Sequence, residues 1–261
     1  MNNNSIIKET TILKFRLTIS ASSEELFQFV LDPDLDFITL LLQHPHLDES
    51  HLLSLLKRRD LNEELVTQIY QSRKKKLSHR LILALVRNSS ISGTLIRNLL
   101  PHLRLFELAD LCKIPGVSPD QKLAAERTII QRLQTTPLGN KITLARRGTT
   151  AVVSALLKEG QTQIFEACLN NPHLNEAAIF TFLRGASASA ETISQVARHQ
   201  RWKGRPNLKL AILKNLKTPD IWFTLWLPTL NLQTIKQLQM AHRSHPVKKN
   251  LITIELQKRG I

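Results

Sequence analysis

The amino-acid sequence predicts an all-α fold, an α-solenoid of stacked short helices built from two tandem copies of about 127 residues. Three observations carry this. Shifted by 127 positions, residues His44–Leu133 fall on Asn171–Gly260 without a gap, and 20 of the 90 aligned positions are identical. An internal repeat sets the architecture before any local assignment, because each copy folds alike and buries its apolar face against its neighbours. Apolar residues recur at i, i+3 and i+4, the spacing of one helix face. No segment shows the period-two alternation between hairpin turns that a half-buried strand requires.

Composition agrees. Of 261 residues, 42% are hydrophobic and 22% charged, enough apolar surface for a packed core. Aromatic residues make up only 5%, and Leu, Ile and Ala dominate the apolar set, which suits helices better than sheets. The formal net charge of +15, with a pI near 10.2, favours anionic partners: DNA or RNA, an acidic protein face, or an anionic membrane surface. Cys112 and Cys168 do not occupy equivalent positions in the two copies. They read as buried small hydrophobes in a reducing compartment, not as a disulfide framework. Residues 1–15 contain no apolar signal region, and no run approaches the ~18 apolar residues of a membrane span. A cytoplasmic protein without membrane contact is expected.

The repeat extends backwards at the same offset. Lys14 and Leu17 fall on Lys141 and Leu144, and the turn Leu31-Asp32-Pro33 falls on Lys158-Glu159-Gly160. Residues 1–13 then form a polar lead-in, 14–133 the first helical unit, 134–140 a connector, and 141–261 the second unit, together one continuous solenoid. Within the units, Leu52, Leu55 and Leu56 correspond to Ile179, Phe182 and Leu183 as one apolar stripe. Leu81, Ala84 and Leu85 correspond to Leu208, Ala211 and Ile212, with alanines small enough to admit a neighbouring helix. Ser118-Pro119-Asp120 and Thr218-Pro219-Asp220 read as N-cap, N1 proline and first-turn acid. Asn62 and Ser189 read as equivalent N-caps. Asn88 and Asn215 read as C-caps, since Asn tolerates a left-handed backbone. The helices are expected to span about 8–14 residues with tight connections.

The stretch Leu-Ala-Ile-Leu-Lys-Asn-Leu-Lys-Thr-Pro at 210–219, and Asn171-Pro172-His173-Leu174-Asn175-Glu176, resemble the repeat core of bacterial HEAT-like and leucine-rich-repeat-variant proteins. In those families a helix ends at Asn, a Pro or Thr-Pro turn follows, and another amphipathic helix begins. The resemblance covers most of residues 40–260. It implies an extended binding surface, usually without catalysis. The iron–sulfur cluster that some leucine-rich-repeat-variant proteins carry on amino-terminal cysteines is not carried over, because no cysteine precedes Cys112.

The candidate binding residues are two basic clusters in register. Arg73, Lys74, Lys75 and Lys76, with His79 and Arg80, fall near Arg198, His199, Arg201, Trp202, Lys203 and Arg205. Equivalent loops of a solenoid line up along one edge, so these charges are expected to form a basic ridge able to track a polyanion. Helix-connecting loops are also charged simply because they are solvated. His242, Arg243, His245, Lys248 and Lys249 are a possible extension, although the first copy is far less basic there. Trp222 and Trp226 replace Leu95 and Leu99 on an apolar stripe and are expected in the core. Trp202 replaces Lys75 and is expected to be partly exposed, where an indole can stack on a base or a guanidinium, or equally shield the end of a helix. His44, His46, Asp48 and His51 are metal-capable, but the second copy keeps the turn and loses the ligands, so no metal site is expected.

No Gly-rich phosphate loop, HExxH, GxSxG or CxxC occurs, so no cofactor, small-molecule substrate or catalytic residue is assigned. The expectation is a non-enzymatic helical-repeat scaffold that binds a protein partner, one presenting an acidic face. Sequence-independent nucleic-acid binding along the basic ridge is the alternative. A third reading, a DNA glycosylase of the HEAT-like type, shares architecture only, and none of its motifs transfers.

Overall fold

A computed structural model of the chain describes residues 13–14, 16, 18–19 and 21–260. Residues 1–12 of the expected lead-in, and Leu17, lie outside the described residues. Among the described residues there are 17 α-helices and no strand. The chain divides into two compact units, Met1–Ile129 and Ile130–Ile261.

The first unit contains α1 (Ser23–Phe29), α2 (Leu35–Leu41), α3 (Glu49–Leu55), α4 (Glu63–Arg73), α5 (His79–Arg87), α6 (Gly93–Leu99) and α7 (Leu105–Leu111). Helix α8 (Pro119–Arg132) runs across the division. The second unit contains α9 (Leu138–Arg147), α10 (Thr150–Lys158), α11 (Thr162–Leu169), α12 (Glu176–Arg184), α13 (Ala190–Arg198), α14 (Pro206–Lys214), α15 (Asp220–Trp226), α16 (Leu232–Ala241) and α17 (Pro246–Lys258). Helices of seven to fourteen residues are too short to persist alone in water, so tertiary packing must supply most of their stability.

That packing has two components: helices lie against the next but one, and several also lie against the next, as α9 does on α10, α10 on α11 and α16 on α17. In the first unit α1 packs on α3, α2 on α4, and α3 on α5. In the second, α9 packs on α11, α10 on α12, α11 on α13, α12 on α14, α14 on α16, and α15 on α17. Each unit is therefore a solenoid-like stack of short helices. The buried stripes match the predicted spacing. Leu52, Leu55 and Leu56 are buried, as are Ile179, Phe182 and Leu183. Each such side chain taken from water contributes ~1.5–3 kcal/mol.

Helix starts recur at one spacing. The first residues of α1 to α8 (23, 35, 49, 63, 79, 93, 105 and 119) each lie 127 positions before those of α10 to α17 (150, 162, 176, 190, 206, 220, 232 and 246). A tertiary contact recurs with them: Lys14 Nζ lies 3.1 Å from Asp32 Oδ2, and Lys141 Nζ lies 2.7 Å from Glu159 Oε2. Only the second pair is largely buried.

Most helix starts form as expected. Asn62 Oδ1 accepts from Leu65 N at 2.8 Å, and Ser189 Oγ from Thr192 N at 3.2 Å. Ser118 and Gln121 cap each other, backbone to side chain in both directions. Three expectations are corrected. Thr218 does not cap α15: its hydroxyl is buried and donates to the carbonyl of Ile212, and Pro219 occupies the N-cap. Asn88 and Asn215 occupy the C-cap positions of α5 and α14 as expected, but with extended backbones (φ −74°, ψ 131° and φ −76°, ψ 131°), so it is the left-handed conformation that is corrected in each. Their side-chain amides reach back to the helix two before. Asn88 Nδ2 donates to the carbonyls of Leu56 and Arg58 at 3.0 and 3.1 Å, and Asn215 Nδ2 donates to Leu183 at 2.6 Å. In each case Oδ1 accepts a backbone N–H two residues on, from Ser90 and Lys217. One side chain thus serves an orphan carbonyl at a helix end and fixes the turn that follows.

Candidate functional site

The predicted basic residues separate into three kinds once their surroundings are known. Some are struts to main-chain carbonyls, Arg73 half-buried and Arg201 exposed. Arg73 closes α4, and its guanidinium donates to the carbonyl of Leu47. Arg201 Nη1 donates to the carbonyl of Asn171 at 2.7 Å and Nη2 to that of Leu174 at 2.9 Å. Its guanidinium also lies 4.4 Å from the centre of the Trp202 ring. Trp202 is the clearest correction: it is 3% exposed, and its Nε1 donates to the carbonyl of Leu169 at 2.9 Å. Leu169 ends α11, so the expected exposure is overturned, and the indole takes the other expected role, covering the end of a neighbouring helix from inside the core.

Others lie at helix ends near a partner. Arg198 closes α13 with its guanidinium 5.9 Å from the Trp222 ring, and Arg205 Nε lies 4.0 Å from Glu176 Oε2. His79 Nε2 lies 2.7 Å from Glu107 Oε1, and His199 Nε2 lies 3.1 Å from Asn170 Oδ1. The third kind, Lys74, Lys75 and Lys76 in a 3₁₀ turn after α4, Arg80 on α5, and Lys203 before α14, is exposed like Arg198, Arg201 and Arg205 but stands apart from those contacts. The extension at 242–249 is corrected at two residues, His242 and Lys248, whereas Arg243 and Lys249 are exposed and His245 is half-buried. His242 is fully buried, with Nε2 donating to Leu213 at 2.6 Å. Lys248 is also buried and donates to the carbonyl of Leu216, and burial holds its pKa below the ordinary lysine value.

The histidines of the 44–51 turn serve packing. His44 Nε2 is 2.9 Å from the carbonyl of Thr18, and His51 Nε2 is 2.7 Å from that of Ser23. Both rings are buried, with Nδ1 accepting from the backbone N–H of His46 and Asp48. The two cysteines are free and buried, and burial pushes their thiols up to about 11 for Cys112 and about 12 for Cys168. Both are thiols at neutral pH, without the thiolate a nucleophile needs. Trp222 is buried and Trp226 half-buried, Trp226 packing on the core of Leu213, Phe223, Leu227, Ile235 and Ile252.

Sequence reasoning missed two grooves, one in each unit. In the first unit the C-terminal ends of α3 and α5 frame a groove of about 530 Å³. Leu53, Leu56, Leu83 and Ala84 supply its apolar wall, and Lys57, Arg58, Arg59, Arg80 and Arg87 its cations. In the second unit α12 and α14 frame a groove of about 610 Å³. Phe180, Leu183, Leu210 and Ala211 form that wall, with Arg184, Lys214 and Lys217 as its cations. No carboxylate lines either one. At an offset of 127, Leu53, Leu56, Lys57, Leu83, Ala84, Arg87 and Asn88 become Phe180, Leu183, Arg184, Leu210, Ala211, Lys214 and Asn215, so the two grooves are lined at equivalent positions. Ala84 and Ala211 lie on helices packed against α3 and α12, and both also line the grooves.

Not every rim cation is without a partner. Arg58 donates to the carbonyls of Val30 and Asp32 and pairs with Asp60 at 2.6 Å, and Lys217 donates to Ala186 at 2.7 Å. Lys57, Arg59, Arg80 and Arg87 in the first groove, and Arg184, Lys214 and Lys217 in the second, are exposed. Of the predicted set Arg80 lines the first of these two grooves, and Arg198 lines a separate cavity of about 370 Å³ beside Glu191. A signal was present in the sequence: Lys57 with Arg184, and Arg87 with Lys214, are basic in both copies directly after an apolar stripe.

No protein-family model matches the chain, and neither a curated protein nor a solved structure matches it. Among the described residues no helix is long and apolar enough to cross a membrane.

Proposed function

We propose that this chain is a non-enzymatic helical-repeat binding module, a tandem duplication of HEAT-like type forming a superhelix, whose ligand is a protein with an acidic face. One observation carries the reading: each unit has a groove with an apolar wall and a basic rim, and no carboxylate lines it. The recurrence of helix starts at 127 residues supports the duplication. Short helices locked by buried side-chain to main-chain bonds lose little freedom on binding, so less of the contact energy is spent on ordering. The net charge of +15 speeds encounter with an acidic surface. Fluorescence anisotropy with labelled acidic and basic polypeptides of equal length tests this. Salt-sensitive binding of the acidic chain alone is expected, and equal binding of both removes the proposal.

Nucleic acid remains the second reading, favoured by the exposed run Lys74, Lys75 and Lys76. Phosphate neutralisation would release counterions and make affinity fall steeply with salt. Gel shifts with single- and double-stranded nucleic acid at low salt test it, with charge reversal at Lys74 and Lys75. No shift at low salt would remove this reading.

A further inference from the structure

We propose that each groove docks one short acidic segment of a partner protein through a single large apolar anchor side chain, so that one chain takes two such segments. This rests on the acidic-partner reading and adds to it the anchor, the sites and their number.

The floor is the first argument. Leu53, Leu83 and Ala84 are only half-buried beside a fully buried core, as is Phe180 in the second unit, and Leu216 at the edge of that groove is 52% exposed. Volumes of about 530 and 610 Å³ fall in the range of ligand-binding clefts. An apolar floor attracts an apolar side chain by the area it removes from water. Polyanion tracking gains nothing from that floor, and a nucleobase would find one aromatic ring, Phe180, in one groove and none in the other.

The rim is the second. A cation at a helix C-terminus ordinarily complements the helix dipole and its unpaired carbonyls. Here the carbonyls of Leu56 and Leu183 are already taken by Asn88 and Asn215, so Lys57 and Arg184 are not needed as caps. With Arg87 and Lys214 they flank the apolar floor from both framing helices. The complementary ligand is an apolar side chain between carboxylates. This distinguishes it from nucleic acid, whose charge is continuous.

The grooves are equivalent in position but not in composition, which gives a sharper expectation. The first has four exposed cations without a carboxylate partner over an aliphatic floor, while the second has three, Arg184, Lys214 and Lys217, with Arg184 lying 5.7 Å from the Phe180 ring. Binding in the first groove should therefore weaken more steeply with salt. Binding in the second should favour an aromatic anchor.

The test uses the full chain and isothermal titration calorimetry with a synthetic peptide carrying one phenylalanine between runs of glutamate. Two sites are expected. Replacing the phenylalanine by alanine should weaken binding by about tenfold or more. Lys57→Glu with Arg87→Glu should leave the less salt-sensitive site, and Arg184→Glu with Lys214→Glu the more salt-sensitive one. These four side chains are exposed, so the variants should fold. Leu53→Gln and Phe180→Gln probe the floors without changing charge, and each should reproduce the loss of one site. If the peptide without its anchor binds equally well, the docking proposal falls and the acidic-partner reading stands. If neither peptide binds, both fall. If single-stranded oligonucleotide displaces the peptide and the groove variants leave its binding unchanged, the peptide sites lie elsewhere and the docking proposal is overturned.

Discussion

The side-chain amide of Asn215 donates to the main-chain carbonyl of Leu183 across 2.6 Å, joining the end of α14 to the end of α12. Asn88 makes the corresponding bond to Leu56, between α5 and α3. Asn171 repeats the device on α9, donating to the carbonyls of Ala145 and Gly148 at 2.7 and 3.1 Å. The bond does two things: it satisfies a carbonyl that a helix end leaves bare, and it sets the separation of two stacked helices. In two of the three cases that separation is the width of a groove.

Asn88→Ala would leave the carbonyls of Leu56 and Arg58 buried without their side-chain donor. A loss of about 1–3 kcal/mol is expected in urea unfolding, with Asn88→Asp at least as damaging because a carboxylate cannot donate. Unchanged stability in Asn88→Ala would mean that water replaces the amide and that the strut is dispensable.

Trp202→Phe keeps an aromatic ring but removes the Nε1 donor to Leu169 and weakens the stack with Arg201. The variant should lose about 1–3 kcal/mol of stability, since a buried carbonyl is orphaned. Binding of acidic peptide by the folded variant should be unaffected, because the indole faces no groove. Reduced peptide affinity at unchanged stability would return Trp202 to the surface.

His242 links stability to pH. Burial, the largest influence, together with Lys248 and His245 nearby, holds its pKa below the ordinary 6.5, against the opposing bond to Leu213. The ring is therefore neutral in the fold, with Nε2 donating and Nδ1 bare. Between the lowered folded value and 6.5 the unfolded chain binds the extra proton, so stability is present above that window and is lost as pH falls through it. The slope is at most about 1.4 kcal/mol per pH unit. His242→Gln should flatten the stability profile below pH ~6.5; an unaltered profile would assign the effect to another group.

Two glycines give opposite expectations. Gly160 has φ +70°, and a Cβ there would lie 2.7 Å from the carbonyl oxygen of Ser187. Gly160→Ala should destabilise by about 1–3 kcal/mol through backbone strain, before the clash is added. Gly139, in the first turn of α9, has open space where a Cβ would sit. Gly139→Ala should stabilise by about 0.4–1 kcal/mol by restricting the unfolded chain. Thermal melts of both variants check the pair, and a stabilised Gly160→Ala would contradict the turn described here.

What was legible in the sequence is what depends on near neighbours along the chain. Apolar spacing at i, i+3 and i+4 marked the buried stripes through Leu52 and Ile179, and capping at Asn62, Ser118 and Ser189 involves residues only three apart. The 127-residue register needed no structure at all, because it is a comparison of the chain with itself. The roles of Arg73, Arg201, Trp202, Asn88 and His242 were decided only by the fold. Each bonds a carbonyl 26 to 33 residues away, a separation set by stacking one helix pair on the next. No local pattern tells a basic or aromatic residue that reaches back into the stack from one that faces solvent, since both occur at the same turn with the same neighbours. The grooves were hidden for a related reason: Leu53 and Leu83 share the apolar character of the core stripe beside them, and only the arrangement of α3 against α5 leaves them uncovered.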